Sequence, residues 1–152
     1  MFDRSLRDFI RSTVPHLLAE ARTAGLQADE REDLEVEVQS ASTLGLEDRP
    51  ADPHAVAVCA EVGVDIGDHD AQPLTDELID WADYVLVMEY RHAAHIREHH
   101  PQAGEKVLML GNFGGNAPEI ADPIGGWRFQ FRRSRDEIQR CVHGFMRRLP
   151  AR

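Results

Sequence analysis

Few side chains in this chain of 152 residues are suited to covalent chemistry, and their settings decide what they can do. There are two cysteines, Cys59 and Cys141. A thiolate is the nucleophile that needs least help near neutral pH. Both cysteines, however, fall on apolar stripes of predicted helices, where a thiol serves as a small core side chain. Two cysteines also exclude a disulfide framework and point to a cytoplasmic protein. His92, His95, His99 and His100 lie in or just after one helix. The first three, at i, i+3 and i+7, share a face that could hold a transition metal. No cysteine or nearby carboxylate completes a recognisable ligand set, so the expectation is an exposed histidine-rich helix with no metal. No cofactor motif is present either. Gly111-Asn112-Phe113-Gly114-Gly115-Asn116 has the glycine content of a phosphate loop. It lacks the Lys-Ser/Thr ending and an immediate helix, which predicts a flexible surface loop. Asp122, before Pro123, is by type an ordinary turn residue.

The elements that must carry these residues alternate between helix and strand. Leu6, Phe9, Ile10, Val14, Leu17, Leu18 and Ala21 recur at helical spacing and predict an amphipathic helix at about 4–24, with Pro15 marking a kink or a later start. Leu34 to Val38 alternates with period two, a strand. Asp52-Pro53 opens a helix that stops at Gly63. Thr75 caps a short helix carrying Leu78 and Ile79. Tyr84 to Met88 reads as a strand buried on both faces. A helix over 91–99, a strand from Lys106 to Leu110 and a loop from Gly111 to Gly126 follow. Ser134-Arg135-Asp136-Glu137 reads as a capping box that opens the last helix, with Ile138, Cys141, Val142, Phe145, Met146 and Leu149 as its apolar stripe. This alternation predicts a single α/β domain over 1–152, with a parallel sheet covered on both faces. Ligands in such folds sit beyond the carboxyl ends of the strands, here Ser40–Gly45, Glu89–Arg91 and Gly111–Gly126.

The order of motifs resembles the low-molecular-weight protein tyrosine phosphatases. Val38-Gln39-Ser40-Ala41-Ser42-Thr43 is similar to that family's second strand and turn, V-D-S-A-x-T. Gly63-Val64-Asp65-Ile66 with His69-Asp70-Ala71-Gln72-Pro73-Leu74-Thr75 resembles its G-I-x-x-x-x-H-x-A-R-x-L-T segment. Ala82 to Met88 matches its third strand. Ala121-Asp122-Pro123 followed by Gly125-Gly126 resembles its acid loop. The resemblance covers residues 34 to 149. It implies a three-layer sandwich of the phosphotyrosine phosphatase I type, with a small parallel sheet of about four strands or one fewer. In the family order, 2-1-3-4, the first strand lies in the middle of the sheet.

The resemblance also says what chemistry to look for. In the family a Cys-x5-Arg-Ser loop follows the first strand, binds phosphate through backbone N–H groups and the Arg, and holds a thiolate nucleophile. An Asp-Pro aspartate protonates the leaving group. By position that acid is Asp122; with no nucleophile facing it, the expectation is a vestigial role. Neither cysteine lies in the first 58 residues. One alignment places Ser5 at the nucleophile position, with Arg11-Ser12 as the Arg-Ser pair. A second aligns Pro15 with the family proline and leaves no Arg. A third takes 4–24 simply as a helix. Serine is a poor replacement, because its hydroxyl ionises far above neutral pH and no adjacent base is evident. His69 matches a histidine that braces the phosphate loop. Ile124 stands where the family usually has an aromatic residue, and Trp127 is the nearest ring.

Formal net charge is −10, which argues against nucleic-acid binding and favours solubility. From Arg128 to Arg152, eight arginines face only Asp136 and Glu137, a local net of +6, and the remainder carries −16. No stretch approaches the length of a membrane span and no secretory signal is seen. These features predict a catalytically inactive relative of the phosphatases that works by binding or assembly, with an unidentified protein or phosphorylated ligand as partner. Two rival readings remain open: an active phosphomonoesterase, and a non-catalytic phosphate binder using Ser5, Arg11 and Ser12. If residues 1–4 do not supply the first strand, the strands at 34–40 and 84–88 are expected to pair directly or beside a vestigial strand. A homodimer through Leu6, Phe9, Ile10 and Leu17 is the expected way to cover what that loss exposes.

Overall fold

The computed structural model describes residues 38–43, 50–68 and 72–149. The helix expected at 4–24, the strand residues before Val38, and Ser5, Arg11, Ser12 and His69 lie outside them.

Helix α1 (Pro53–Ala60) begins as its sequence dictates. Asp52 is extended and its side chain accepts the His54 N–H at 2.7 Å, with Pro53 at the first helical position. Helix α2 (Asp76–Trp81) is capped by Thr75, whose hydroxyl accepts the Leu78 N–H at 3.3 Å. Its far end is met by the Lys106 ammonium, 3.1 Å from the Ile79 carbonyl and 3.4 Å from that of Asp80. A cation there complements the helix dipole.

Strands β1 (Val85–Val87) and β2 (Val107–Met109) pair in parallel, Val85 opposite Val107 and Val87 opposite Met109. Helix α3 (Tyr90–His99) and a 3-10 segment (Pro101–Lys106) make the crossover. Side chains alternate across the pair. Val87, Val107 and Met109 pack with Ile79 of α2 and with Ala93 and Ile96 of α3. Leu86, with Met88 and Leu110 beyond the strand ends, packs with Val58 and Cys59 of α1 and with Ile138, Cys141 and Val142 of helix α4 (Arg128–Met146). The result is three layers: α1 and α4, the sheet, then α2 and α3. This is the predicted α/β sandwich.

Four local expectations are corrected. Both strands are shorter than read. Tyr84 is half exposed and stands edge-on against Phe145 at 5.4 Å, while Lys106 is drawn off to the end of α2. The strand expected at 34–40 does not extend over its described residues 38–40; among the described residues the sheet has two strands, and the pairing expected between 34–40 and 84–88 falls on residues outside them. Instead Ser42 bridges to Pro73, its N–H bonding to the Gln72 carbonyl at 2.7 Å and its carbonyl accepting the Leu74 N–H at 2.9 Å. Helix α4 starts at Arg128, well before Ser134. Trp127 is extended, its N–H donates to the Gln130 side chain at 2.7 Å, and the Gln130 N–H returns to the Trp127 carbonyl at 2.9 Å. Ser134 is therefore interior to the helix, where its buried hydroxyl donates to the Ala121 carbonyl at 3.3 Å.

The glycine-rich segment is the fourth correction, because it is packed rather than loose. Leu110–Phe113 forms a 3-10 turn laid against α4, so close to Gly144 that a Cβ there would sit 1.6 Å from the Phe113 carbonyl oxygen. A Cβ at Gly111 would meet the Ala117 oxygen at 2.2 Å. Glycine is required at both positions by close backbone approach.

Candidate functional site

Two described segments meet beyond the carboxyl ends of the strands, 88–90 and the run from Leu110 to Gly126, while 38–43 bonds to 72–74. The run from Leu110 carries Asp122 and is pinned at several points. The Ile120 N–H donates to the Met88 carbonyl at 2.9 Å, and the Ile120 side chain is buried in the core. The Glu119 carboxylate accepts the Tyr90 N–H at 2.8 Å, tying the loop to the start of α3. Ser134 holds the Ala121 carbonyl from below. Asp122 is half-buried and its Oδ1 accepts the Ile124 N–H at 2.8 Å, an Asx turn over a buried Pro123. The Gly126 N–H closes the turn on the Pro123 carbonyl at 2.8 Å. A carboxylate is thus set at the mouth of the strands by neighbours just past β1, at the start of α3 and on α4.

On the other side, the Gln72 amide reaches 2.7 Å to the Ser40 carbonyl and 3.2 Å to the Gln39 side chain. The sequence names Gln72 only within the resembling segment and Ser134 only as a helix cap, neither as a support of the site. Ser134 carried a signal, since it interrupts the apolar spacing of Phe131, Ile138 and Cys141 and a buried hydroxyl there must find a partner. Ser5, Arg11, Ser12 and His69 lie outside the described residues, so their placement relative to Asp122 is not part of this geometry.

The cysteines sit where the sequence puts them, on buried faces of α1 and α4. Burial, seconded by the Glu137 charge and opposed by Arg140, pushes the Cys141 thiol up to about 11. Such a thiol stays protonated at neutral pH and is no nucleophile.

The histidines of α3 are individually engaged. His95 and His99 stack with ring centroids 4.2 Å apart, and the His99 Nδ1 lies 2.9 Å from the His95 carbonyl. His92 lies 3.9 Å from the Glu89 carboxylate. His100 bonds to Asp76 at 2.6 Å, and Gln102 joins the same oxygen at 2.5 Å. These bonds, His100 first, hold the Asp76 carboxyl below its usual range. Among the described residues no three His, Cys, Asp or Glu side chains converge on a metal-sized site. In the glycine-rich segment the Asn116 N–H donates to the Glu137 carboxylate at 2.9 Å, so that amide is already committed to an anion of the chain itself.

Comparison with known proteins bears on the whole assembly. A family model described as "Low molecular weight phosphotyrosine protein phosphatase" matches residues 9–152. EpsP of Ralstonia nicotianae, named as a probable low molecular weight protein-tyrosine-phosphatase, is 38% identical over 116 residues, covering 76% of this chain and 79% of its own. A protein-arginine-phosphatase of Geobacillus stearothermophilus is 36% identical over 115 residues, covering 75% and 77%. Among solved structures, a cysteine-to-serine variant of the YwlE arginine phosphatase with a phosphorylated active-site serine superposes with a TM-score of 0.80 at 26% identity. It covers 97% of this chain and 90% of that one.

Proposed function

The chain belongs to the low molecular weight phosphotyrosine protein phosphatase family, and from that premise we propose that it is a non-catalytic member acting by binding or assembly. The observation that supports this most directly is the setting of its thiols. Family chemistry needs a thiolate in a loop of backbone N–H donors. Both cysteines here are core residues of helices, and the Cys141 thiol is held protonated. The retained Asp122 loop then serves architecture, since an acid has work only where a bond is being broken. The relatives named above are a tyrosine and an arginine phosphatase, so the ligand class we assign is a phosphorylated protein side chain or a protein partner that carries one. No helix among the described residues is long and apolar enough to cross a membrane. A cytoplasmic setting, expected from the two cysteines without a disulfide framework, is part of the proposal. Self-association through the Leu6–Leu17 stripe remains part of this proposal.

A second reading is favoured by one observation. The solved relative with a phosphorylated active-site serine bears a phosphoryl group on the residue type that Ser5 would supply. Under that reading Ser5, Arg11 and Ser12 hold phosphate without turning it over. The test is turnover and binding on one preparation. With p-nitrophenyl phosphate and with phosphoarginine, the protein should release phosphate no faster than its Asp122→Asn variant. Release well above that variant, lost on changing Ser5, would establish an active phosphatase. Saturable orthovanadate binding abolished by Arg11→Ala, without turnover, would select the phosphate binder.

A further inference from the structure

The solvent face of α4 is built from residue types that carry binding energy, and among the described residues no ion pair or ring contact engages Phe129, Arg133 or Arg140. Phe131, Ser134, Ile138, Cys141 and Phe145 point into the core. On the opposite side Phe129, Arg133 and Arg140 are all exposed. Phe129 is 64% exposed, and Trp127, immediately before the helix, is 78% exposed. Arg133 and Arg140 are seven residues apart, roughly 10 Å along one line of the helix. Asp136, the acid between them, is already held by Arg135 at 2.7 Å. Arg132, on the flank, is spent on a two-point bridge to Glu61. Arg133 and Arg140 have no ion pair among the described residues. Aromatic and arginine side chains are the types enriched in interface hot spots, and an exposed phenylalanine in line with two arginines is a surface of that kind.

We propose that Phe129, Arg133 and Arg140, which share one line of the helix, form a docking surface for an acidic helical segment of a partner protein, a proposal that rests on the binding reading above and gives it a place. The chemistry selects this occupant. Two carboxylates spaced by seven residues on one helix face match the two guanidiniums, and a neighbouring aliphatic side chain covers the Phe129 ring. A second copy presenting the same face would set arginine against arginine. A nucleic acid long enough to span the patch would run its flanking phosphates over a surface that carries −16 outside residues 128–152. An anionic membrane meets the same repulsion, and the broad apolar stripe that insertion requires is buried in the core.

The probe is a fluorescein-labelled amphipathic peptide with glutamates seven residues apart and a leucine one turn before the first, together with a copy carrying glutamine at both positions. Fluorescence anisotropy at near-physiological salt should show saturable binding of the glutamate peptide. The Arg133→Glu/Arg140→Glu double variant should weaken it by about tenfold or more, and Phe129→Ser by several-fold. An Arg133→Gln/Arg140→Gln variant with an unchanged circular dichroism spectrum should fall between, which separates lost charge from lost fold. Equal binding by wild type and the charge-reversed variant, or equal binding of the glutamine peptide, would overturn the proposal. So would arginine-dependent sedimentation with phosphatidylserine vesicles in the absence of peptide binding, which would assign the patch to a membrane. Phosphate release measured on the same preparation is independent. Turnover with peptide binding removes only the non-catalytic reading, and absent binding without turnover removes only the docking surface.

Discussion

Replacing Gly144 by alanine sets two well-understood effects against each other. Gly144 lies inside α4, where glycine costs about 1 kcal/mol relative to alanine, so propensity alone predicts that Gly144→Ala stabilises the protein. The structure predicts the reverse. The new Cβ would lie 1.6 Å from the Phe113 oxygen and 2.7 Å from its carbonyl carbon. Both are main-chain atoms, so no rotamer relieves the clash, and α4 must separate from the Leu110–Phe113 turn by over an ångström. That separation opens the Phe113–Phe145 edge-to-face contact, 5.1 Å between centroids, and the Arg148 guanidinium seated 5.2 Å over the Phe113 ring. Aromatic pairs contribute about 0.5–1.5 kcal/mol beyond burial, and overpacking of this kind costs about 1–3 kcal/mol. Set against the propensity gain, the net expected loss is about 2 kcal/mol. For a chain of this size the melting temperature should fall by roughly 4–8 °C. Thermal unfolding followed by circular dichroism measures it. An unchanged or raised melting temperature would show that the helix and the turn are not in contact as described.

Three further outcomes follow from the charges and thiols. Arg135 is 9% exposed and bonds to the Val58 carbonyl at 2.7 Å and to Glu61 at 3.1 Å, so Arg135→Met, which orphans the Val58 carbonyl while Glu61 keeps Arg132, should lower stability by about 1–2 kcal/mol in urea titration; an unshifted midpoint would refute that role. The Glu61 carboxyl is held at about 2, first by its hydrogen bond to Arg132 and then by Arg135, below an unfolded value of 4.5. Its contribution is therefore present above about pH 4.5 and lost as pH falls toward about 2, so the melting difference between wild type and Glu61→Gln should shrink on acidification; a constant difference would contradict it. Cys59 and Cys141 are 1% and 0% exposed, so the native protein should give no fast reaction with an aromatic disulfide reagent at mildly alkaline pH and two equivalents once unfolded; a fast native equivalent would contradict their burial.

What was legible in the sequence followed from local rules. Asp52-Pro53 and Thr75 start helices because each supplies an acceptor to an otherwise orphaned N–H, a decision made within three residues. The strands were legible as apolar runs, and their parallel pairing followed from the helix between them. The misreadings arose where a distant partner overrides a local pattern. Ser134-Arg135-Asp136-Glu137 has the form of a capping box, yet the Ser134 hydroxyl serves Ala121, Arg135 reaches across to α1, and Glu137 takes the Asn116 N–H. The glycines of 111–115 signalled a loose loop by composition. They are there because main chain packs on main chain, which no spacing within the segment reveals. Lys106 reads as the start of a strand until the end of α2 is seen beside it. The Asp122 half of the candidate site was legible from Ala121-Asp122-Pro123 and its glycines. Its supports at Tyr90, Met88 and Ser134 are long-range contacts and were not.

These supports also bear on what a retained Asp-Pro sequence means. An acid loop kept for catalysis alone would be expected to lose its form in a chain without a nucleophile. Here every element that shapes the loop is used by the fold itself. Ile120 is 1% exposed and fills the core under α1 and α4, so the chain must enter the loop at that depth. Its N–H closes the exposed end of β1 on Met88, and Glu119 satisfies a first-turn N–H of α3 that would otherwise lack an acceptor. The chain must then climb from Ile120 to the start of α4 at Arg128. Asp122 Oδ1 accepts the Ile124 N–H, with Pro123 buried beneath, and so shapes that turn. An aspartate before a proline is thus maintained by packing and turn geometry at this position whether or not a bond is broken nearby. Its presence alone does not weigh for turnover, which is why the discriminating measurement is phosphate release compared between the native chain and Asp122→Asn, rather than the presence of the loop.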